Sequence, residues 1–143
     1  MSVLSVENIV LNQTFTSMEE AIRFTGQVLV DRGYVAPAYI EKMLEREKMT
    51  STFMGNGVAI PHGTDDAKKE VKASGLAIIQ VPEGVDFGDG NMARLLIGIA
   101  GKGDEHLEIL SNIAVVVADE DNVEQIVNAK TAEEVLEFFE GVN

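Results

Sequence analysis

The sequence predicts an α/β fold. The expected architecture is a mixed parallel and antiparallel sheet of about five strands, flanked by helices on both faces, in a single domain over residues 1–143. Three observations carry this. Two near-continuous apolar runs, residues 75–81 and 95–100, have the composition of central strands covered on both sides. Several segments around them show helical spacing, two of them opened by a capping box. Helical and strand segments intermix without a repeat or a linker, which is the pattern of one layered domain.

Taken in order, residues 6–11 predict a short first strand. Ser17-Met18-Glu19-Glu20 is a capping box, with serine at the N-cap and glutamate three residues later. Behind it Met18, Ala21, Ile22, Thr25, Val28 and Leu29 recur at helical spacing, and Gly33 supplies a stop, so a helix spans 18 to about 32. Pro37 suits the first turn of a second helix with Tyr39, Ile40, Met43 and Leu44 as its apolar stripe and a charged far end, residues 45–48. Short extended pieces follow at 52–54 and 58–60. Thr64 is placed to cap a short turn over 65–69. Between the two central strands, residues 82–90 read as a long loop. Its aspartates resemble a calcium loop, but the twelfth position from Asp86 is Ile97 rather than a bidentate glutamate, which rejects calcium. Asp104 is a candidate N-cap for a helix with Leu107, Leu110, Ile113, Ala114 and Val117 as its buried face, and the apolar run 114–117 predicts a deeply covered end. Val123, Ile126 and Val127 mark another short helix. Thr131-Ala132-Glu133-Glu134 is a second capping box, opening a last helix with Val135, Phe138 and Phe139 inward.

Composition narrows the function. A length of 143 residues is enough for one good core, and 45% apolar content is that of an ordinary soluble protein. No apolar run is long enough to cross a bilayer, and the start of the chain is too short and polar for a signal peptide, so a cytoplasmic protein without membrane insertion is expected. With no cysteine there is no disulfide, no thiol nucleophile and no thiolate metal site. The net charge of −13 opposes nucleic acid or an anionic membrane as partner. From Asp104 onward eleven acidic residues face one basic residue, Lys130. That half is either a solvated surface or a field that steers a basic partner.

Chemistry concentrates in Gly55-Asn56-Gly57-Val58-Ala59-Ile60-Pro61-His62-Gly63-Thr64. Here a short apolar strand delivers one of only two histidines into a glycine-flanked turn. No cofactor is implied. A metal centre is not expected, since there is neither cysteine nor a His-x-x-x-His pair. A nucleophile elbow and a complete phosphate loop are also absent; Gly101-Lys102-Gly103 is only a fragment of the latter. What remains is His62 as a nucleophile in its own right, or else a surface histidine at a strand end. Phosphoryl transfer asks chiefly for in-line positioning and donors around three oxygens. Gly63 N–H, the Thr64 hydroxyl, the start of the helix carrying His106, His106 itself and Arg46 are the right kinds of group, if the fold assembles them.

Glu47, followed seven residues on by Met54-Gly55-Asn56-Gly57-Val58-Ala59-Ile60-Pro61-His62-Gly63, resembles the phosphorylation signature of the mannitol/fructose-type (type 2) enzyme IIA domain of the bacterial sugar phosphotransferase system. The resemblance extends to Glu19-Glu20-Ala21-Ile22-Arg23-Phe24, Leu44-Glu45-Arg46-Glu47-Lys48, Pro82-Glu83-Gly84-Val85, residues 93–100 and Glu105-His106, and is nearest the mannitol-specific branch. It implies a phosphotransferase component, a cytoplasmic phosphoprotein that forms a phosphohistidine but is not a complete enzyme alone. His62 would accept phosphate on Nε2 from the histidine-containing phosphocarrier protein HPr and pass it to a cysteine of the mannitol-specific enzyme IIB, feeding the IIB/IIC pair during mannitol uptake. The resemblance gives His106 the assisting histidine's place and Arg46 that of a site-lining arginine. Some relatives are fused to IIB and membrane segments; a separate IIA is expected here. A regulatory relative, whose phosphohistidine controls a transcriptional or transport partner, is the alternative. HPr-type donors present a basic rim, which the acidic half would attract.

Overall fold

In the computed structural model, which describes residues 2–142, five strands form one mixed sheet in the order β1-β4-β5-β3-β2. The strands are β1 (Ile9–Val10), β2 (Phe53–Gly55), β3 (Val58–Ala59), β4 (Gly75–Asp86) and β5 (Met92–Ala100). β4 and β5 form the central antiparallel pair, with Ile78 opposite Ile97. β1 runs parallel to β4 and β3 parallel to β5, while β2 closes the edge antiparallel to β3. The helices are α1 (Met18–Asp31), α2 (Tyr39–Met49), α3 (Glu105–Val117), α4 (Glu120–Asn128) and α5 (Ala132–Glu137).

Strand alternation divides the core in two. Leu76, Ile78, Leu95, Ile97 and Ile99 point toward α3, α4 and α5, where Ile113, Ile126 and Val135 meet them. Ala77, Ile79, Leu96 and Ala100 point the other way, against Ile22 and Leu29 of α1 and Met43 of α2. The predicted α/β sandwich is therefore the observed one.

Both capping serine and threonine sites form. Ser17 accepts the Glu20 N–H at 3.1 Å while Glu20 reaches back to the Thr16 N–H at 2.8 Å, and Thr131 accepts the Glu134 N–H at 3.2 Å.

Elsewhere the fold corrects the local reading. Only Ile9 and Val10 of the expected first strand are extended. A 3-10 turn, Val6–Asn8, precedes them because buried Asn8 binds the Tyr34 hydroxyl at 2.8 Å and the Leu76 carbonyl at 3.0 Å. The expected loop at 82–90 is mostly strand. β4 continues to Asp86 through an irregularity between Gln80 and Val85, which is where Pro82, lacking an N–H, is tolerated. Asp86 then accepts the Gly88 N–H at 2.7 Å, so its carboxylate caps the turn. In α2 the buried stripe is Tyr39, Met43 and Glu47, and the charged end hides a carboxylate: Glu47 accepts both the N–H and the hydroxyl of Thr52, each at 2.7 Å. α3 buries Ile109, Ile113 and Val117 rather than the wider face expected, leaving Leu107 72% and Val115 77% exposed. A helix apolar on all sides carries no periodicity to say which side packs.

Candidate functional site

His62 lies just past β3, where the chain still follows the sheet. It pairs in parallel with Ile99, and the Pro61 carbonyl accepts the Ile99 N–H at 2.9 Å. The ring is locked by its own strand: Nδ1 lies 2.7 Å from the Ile60 carbonyl oxygen. A carbonyl only accepts, so Nδ1 carries the proton and Nε2 keeps its lone pair.

Tyr39 holds the turn from below the sheet's end. This buried side chain from α2 accepts the Gly63 N–H at 2.9 Å and donates to the Ile99 carbonyl at 2.8 Å, joining both backbones that flank His62. Residue 63 must be glycine for this approach, since a Cβ there would stand 2.6 Å from the Tyr39 ring. The Gly63 N–H is thus already engaged. Sequence spacing shows Tyr39 only as an apolar position on α2. Its hydroxyl acts on residues 24 and 60 positions away, beyond any local pattern.

His106 comes to the same place. α3 begins at Glu105, and the two imidazoles face each other with centroids 5.3 Å apart, tilted by 52°. Asp104 holds the N-cap position in helical geometry and makes no side-chain capping bond, contrary to its expected role. The Glu105 N–H donates to the Lys102 carbonyl at 3.3 Å, and the first-turn N–H groups that follow it have neither an intrahelical acceptor nor that cap. His62, Gly63, Thr64, Lys68, His106 and Leu107 line one cleft of about 280 Å³.

Two predicted groups stand differently. Thr64 lines the cleft, but its hydroxyl donates to the Asp66 carboxylate instead of capping the 3-10 turn Asp65–Glu70. Arg46 does not line the cleft; its Nη1 donates to the Thr50 carbonyl at 2.6 Å, closing the end of α2. Its charge still reaches His62. Lys102 of the phosphate-loop fragment is turned away, donating to the Lys72 carbonyl at 3.2 Å. Lys68, which the sequence reading passed over, does line the cleft. Its place six residues after His62, in the turn that Thr64 opens, was the available signal.

Burial favours the neutral form of both rings. Burial lowers the His62 pKa, and the Arg46 charge adds to this, against the Ile60 carbonyl and the Glu47 and Asp65 carboxylates. Burial also lowers that of His106, followed by the charges of His62 and, on the same side, Lys68. A depressed folded pKa has a definite sign. Above the usual imidazole range both states are neutral. As pH falls the unfolded chain takes up protons first, so stability is lost toward the lower folded value. Phosphoryl uptake, which needs neutral Nε2, is expected to persist below the ordinary histidine value of about 6.5. A pH–rate profile whose acid limb has its midpoint at or above that value would contradict the neutral assignment.

Residues 2–142 match the family described as phosphoenolpyruvate-dependent sugar phosphotransferase system, EIIA 2. The mannitol-specific phosphotransferase enzyme IIA component of Bacillus subtilis (strain 168) is 57% identical over 143 residues, with all of both chains covered. That of Geobacillus stearothermophilus is 59% identical, covering all of this chain and 99% of the relative. Among solved structures, IIA mannitol from Escherichia coli superposes with a TM-score of 0.89 at 43% identity, covering 95% of this chain and 98% of that one. The complex of Escherichia coli enzyme IIA mannitol with phosphorylated enzyme IIB mannitol gives 0.92 at 41%, covering 99% of each. With the signature strand, the paired histidines and the five-stranded sheet in place, the chain belongs to the type 2 EIIA family of the phosphoenolpyruvate-dependent sugar phosphotransferase system.

Proposed function

We propose that this chain is the cytoplasmic phosphocarrier of mannitol uptake. On this reading His62 takes a phosphoryl group from phospho-HPr and delivers it to a cysteine of mannitol-specific enzyme IIB, which serves the membrane IIC component. The observation that carries it is the 2.7 Å bond fixing Nδ1–H of His62 to the Ile60 carbonyl, which leaves Nε2 unprotonated in a cleft shared with His106.

The chemistry follows from that tautomer. The Nε2 lone pair approaches phosphorus in line with the donor's P–N bond. As the new P–N bond forms, the old one breaks and its electron pair returns to the donor imidazole. No proton need leave His62, because Nδ1–H stays on the Ile60 carbonyl and stabilises the charge the ring gains. His106 and the open N–H groups of α3 are suited to hold the phosphoryl oxygens. In the second step a cysteine thiolate of IIB attacks the same phosphorus, and the departing electron pair restores neutral His62.

A likeness to the nitrogen regulatory protein IIA-Ntr of Neisseria meningitidis, 31% identical with a TM-score of 0.83, is the observation that favours a regulatory reading. It is weaker than the 57% and 59% identities to mannitol components. The test is transfer from the phosphorylated chain to purified mannitol IIB. Complete discharge within a single incubation is expected. Intact loading from HPr with no discharge to IIB would overturn the mannitol assignment in favour of regulation.

A further inference from the structure

We propose that Lys68 is the cation that meets the phosphoryl group on His62. The inference rests on the phosphocarrier reading above and adds a residue to it.

A phosphohistidine brings close to two negative charges into the cleft, by analogy with other phosphorylated side chains. The charges already lining that cleft oppose it: Asp65 and Asp104 are acidic. Among the described residues, Lys68 is the one lysine or arginine in the lining. Arg46, the cation that the family resemblance marks out, donates through Nη1 to the Thr50 carbonyl and stands outside the lining, so its charge reaches His62 only from beyond the cleft. Without Lys68, a dianion would enter a cleft whose own lining carries only negative formal charges, with Arg46 acting on His62 from outside it.

Lys68 is also free to respond. It lies exposed near the end of the 3-10 turn Asp65–Glu70, and it takes part in none of the ion pairs formed among the described residues. The nearby carboxylate of Asp66 is instead taken by Lys42 at 3.3 Å and by the Thr64 hydroxyl. The flexible four-carbon stem of a lysine ends in a compact point charge, suited to a phosphoryl group that arrives on one carrier and leaves on another. Its charge already bears on His106, after burial and His62, in lowering that ring's pKa.

The experiment loads the full chain with enzyme I, HPr and phosphoenolpyruvate, comparing wild type, Lys68→Gln and Lys68→Arg. Uptake and the phosphorus-31 titration of the bound phosphate are followed. Lys68→Gln is expected to load about tenfold more slowly through kcat, with KM for HPr unchanged, as suits loss of one transition-state contact. The bound phosphate should titrate at higher pH, because a neighbouring cation favours its dianion. Lys68→Arg should restore most of both. A Lys68→Gln chain that loads at the wild-type rate with an unmoved phosphorus titration overturns the inference while leaving the phosphocarrier reading standing. Failure of wild type to acquire acid-labile phosphate would overturn both together.

Discussion

Replacing His62 with glutamine is expected to give a folded chain that takes up no acid-labile phosphate from enzyme I, HPr and phosphoenolpyruvate. Glutamine keeps a polar side chain of similar size, but its amide nitrogen stands where Nε2 does rather than Nδ1, so the 2.7 Å contact to the Ile60 carbonyl goes with the ring. What it lacks is a nucleophilic lone pair, because the amide nitrogen's electrons are delocalised. The strand itself is held independently, by the Pro61–Ile99 bond and the Tyr39 hydroxyl. Far-ultraviolet circular dichroism and the melting temperature should stay close to wild type while incorporation falls to background. Residual labelling that survives alkali and disappears in acid would show that another nitrogen accepts the group, and would remove His62 from the centre of the mechanism.

The second large effect is expected from Gly101→Ala. A Cβ at residue 101 would sit 2.5 Å from Cβ, 2.7 Å from Cα and 2.8 Å from Nδ1 of His106. One of these atoms belongs to the backbone at the start of α3, so no rotamer change relieves the contact. α3 must shift, taking His106 and the open N–H groups with it. Displacements of about 1 Å in a positioned site lower rate by about a hundredfold, and that is the expected fall in phosphoryl transfer. On the proposed phosphocarrier reading, KM for HPr should rise far less than kcat falls. Comparing kcat with KM for HPr, together with the ring proton shifts of His106, checks it. A normal kcat with displaced His106 resonances would show that this histidine's position is not limiting.

The parts of the fold legible beforehand were those governed by local rules. Ser17 and Thr131 formed their caps because a cap is decided within four residues. The runs in β4 and β5 became the centre of the sheet because only a doubly covered strand can bury so continuous an apolar sequence. The misses were set at a distance. Glu47 looked like part of a solvated helix end, although Tyr39, Met43 and Glu47 stand four apart on one face and that spacing was there to be read. On α3 the expected face included Leu107, which is exposed, and left out Ile109, which is buried, because a helix apolar on all sides does not mark which side the sheet will meet. At the candidate site, the pairing of His62 with His106 bridges 44 residues of chain, and only the parallel strand beside Ile99 brings the two together. Arg46 was marked by the family resemblance, while Tyr39, Gly101 and Lys68 were not singled out for the site, because their contributions depend on what lies across a gap.

The hairpin between β2 and β3 has a mechanical role separate from chemistry. Gly55, Asn56 and Gly57 all have positive φ, at 101°, 52° and 75°, a run of backbone that glycine and asparagine tolerate and other residues resist. The bend sends the Asn56 amide across to the Val117 and Ala118 carbonyls, at 3.1 and 3.3 Å, at the far end of α3. The helix that carries His106 in its first turn is therefore clasped at its tail by the strand that goes on to present His62. One stiff rod and one strand form a closed frame, and the gap between the two imidazoles is the frame's fixed opening. Loosening the clasp would change how widely the two rings stand apart, from a point well outside their own cleft.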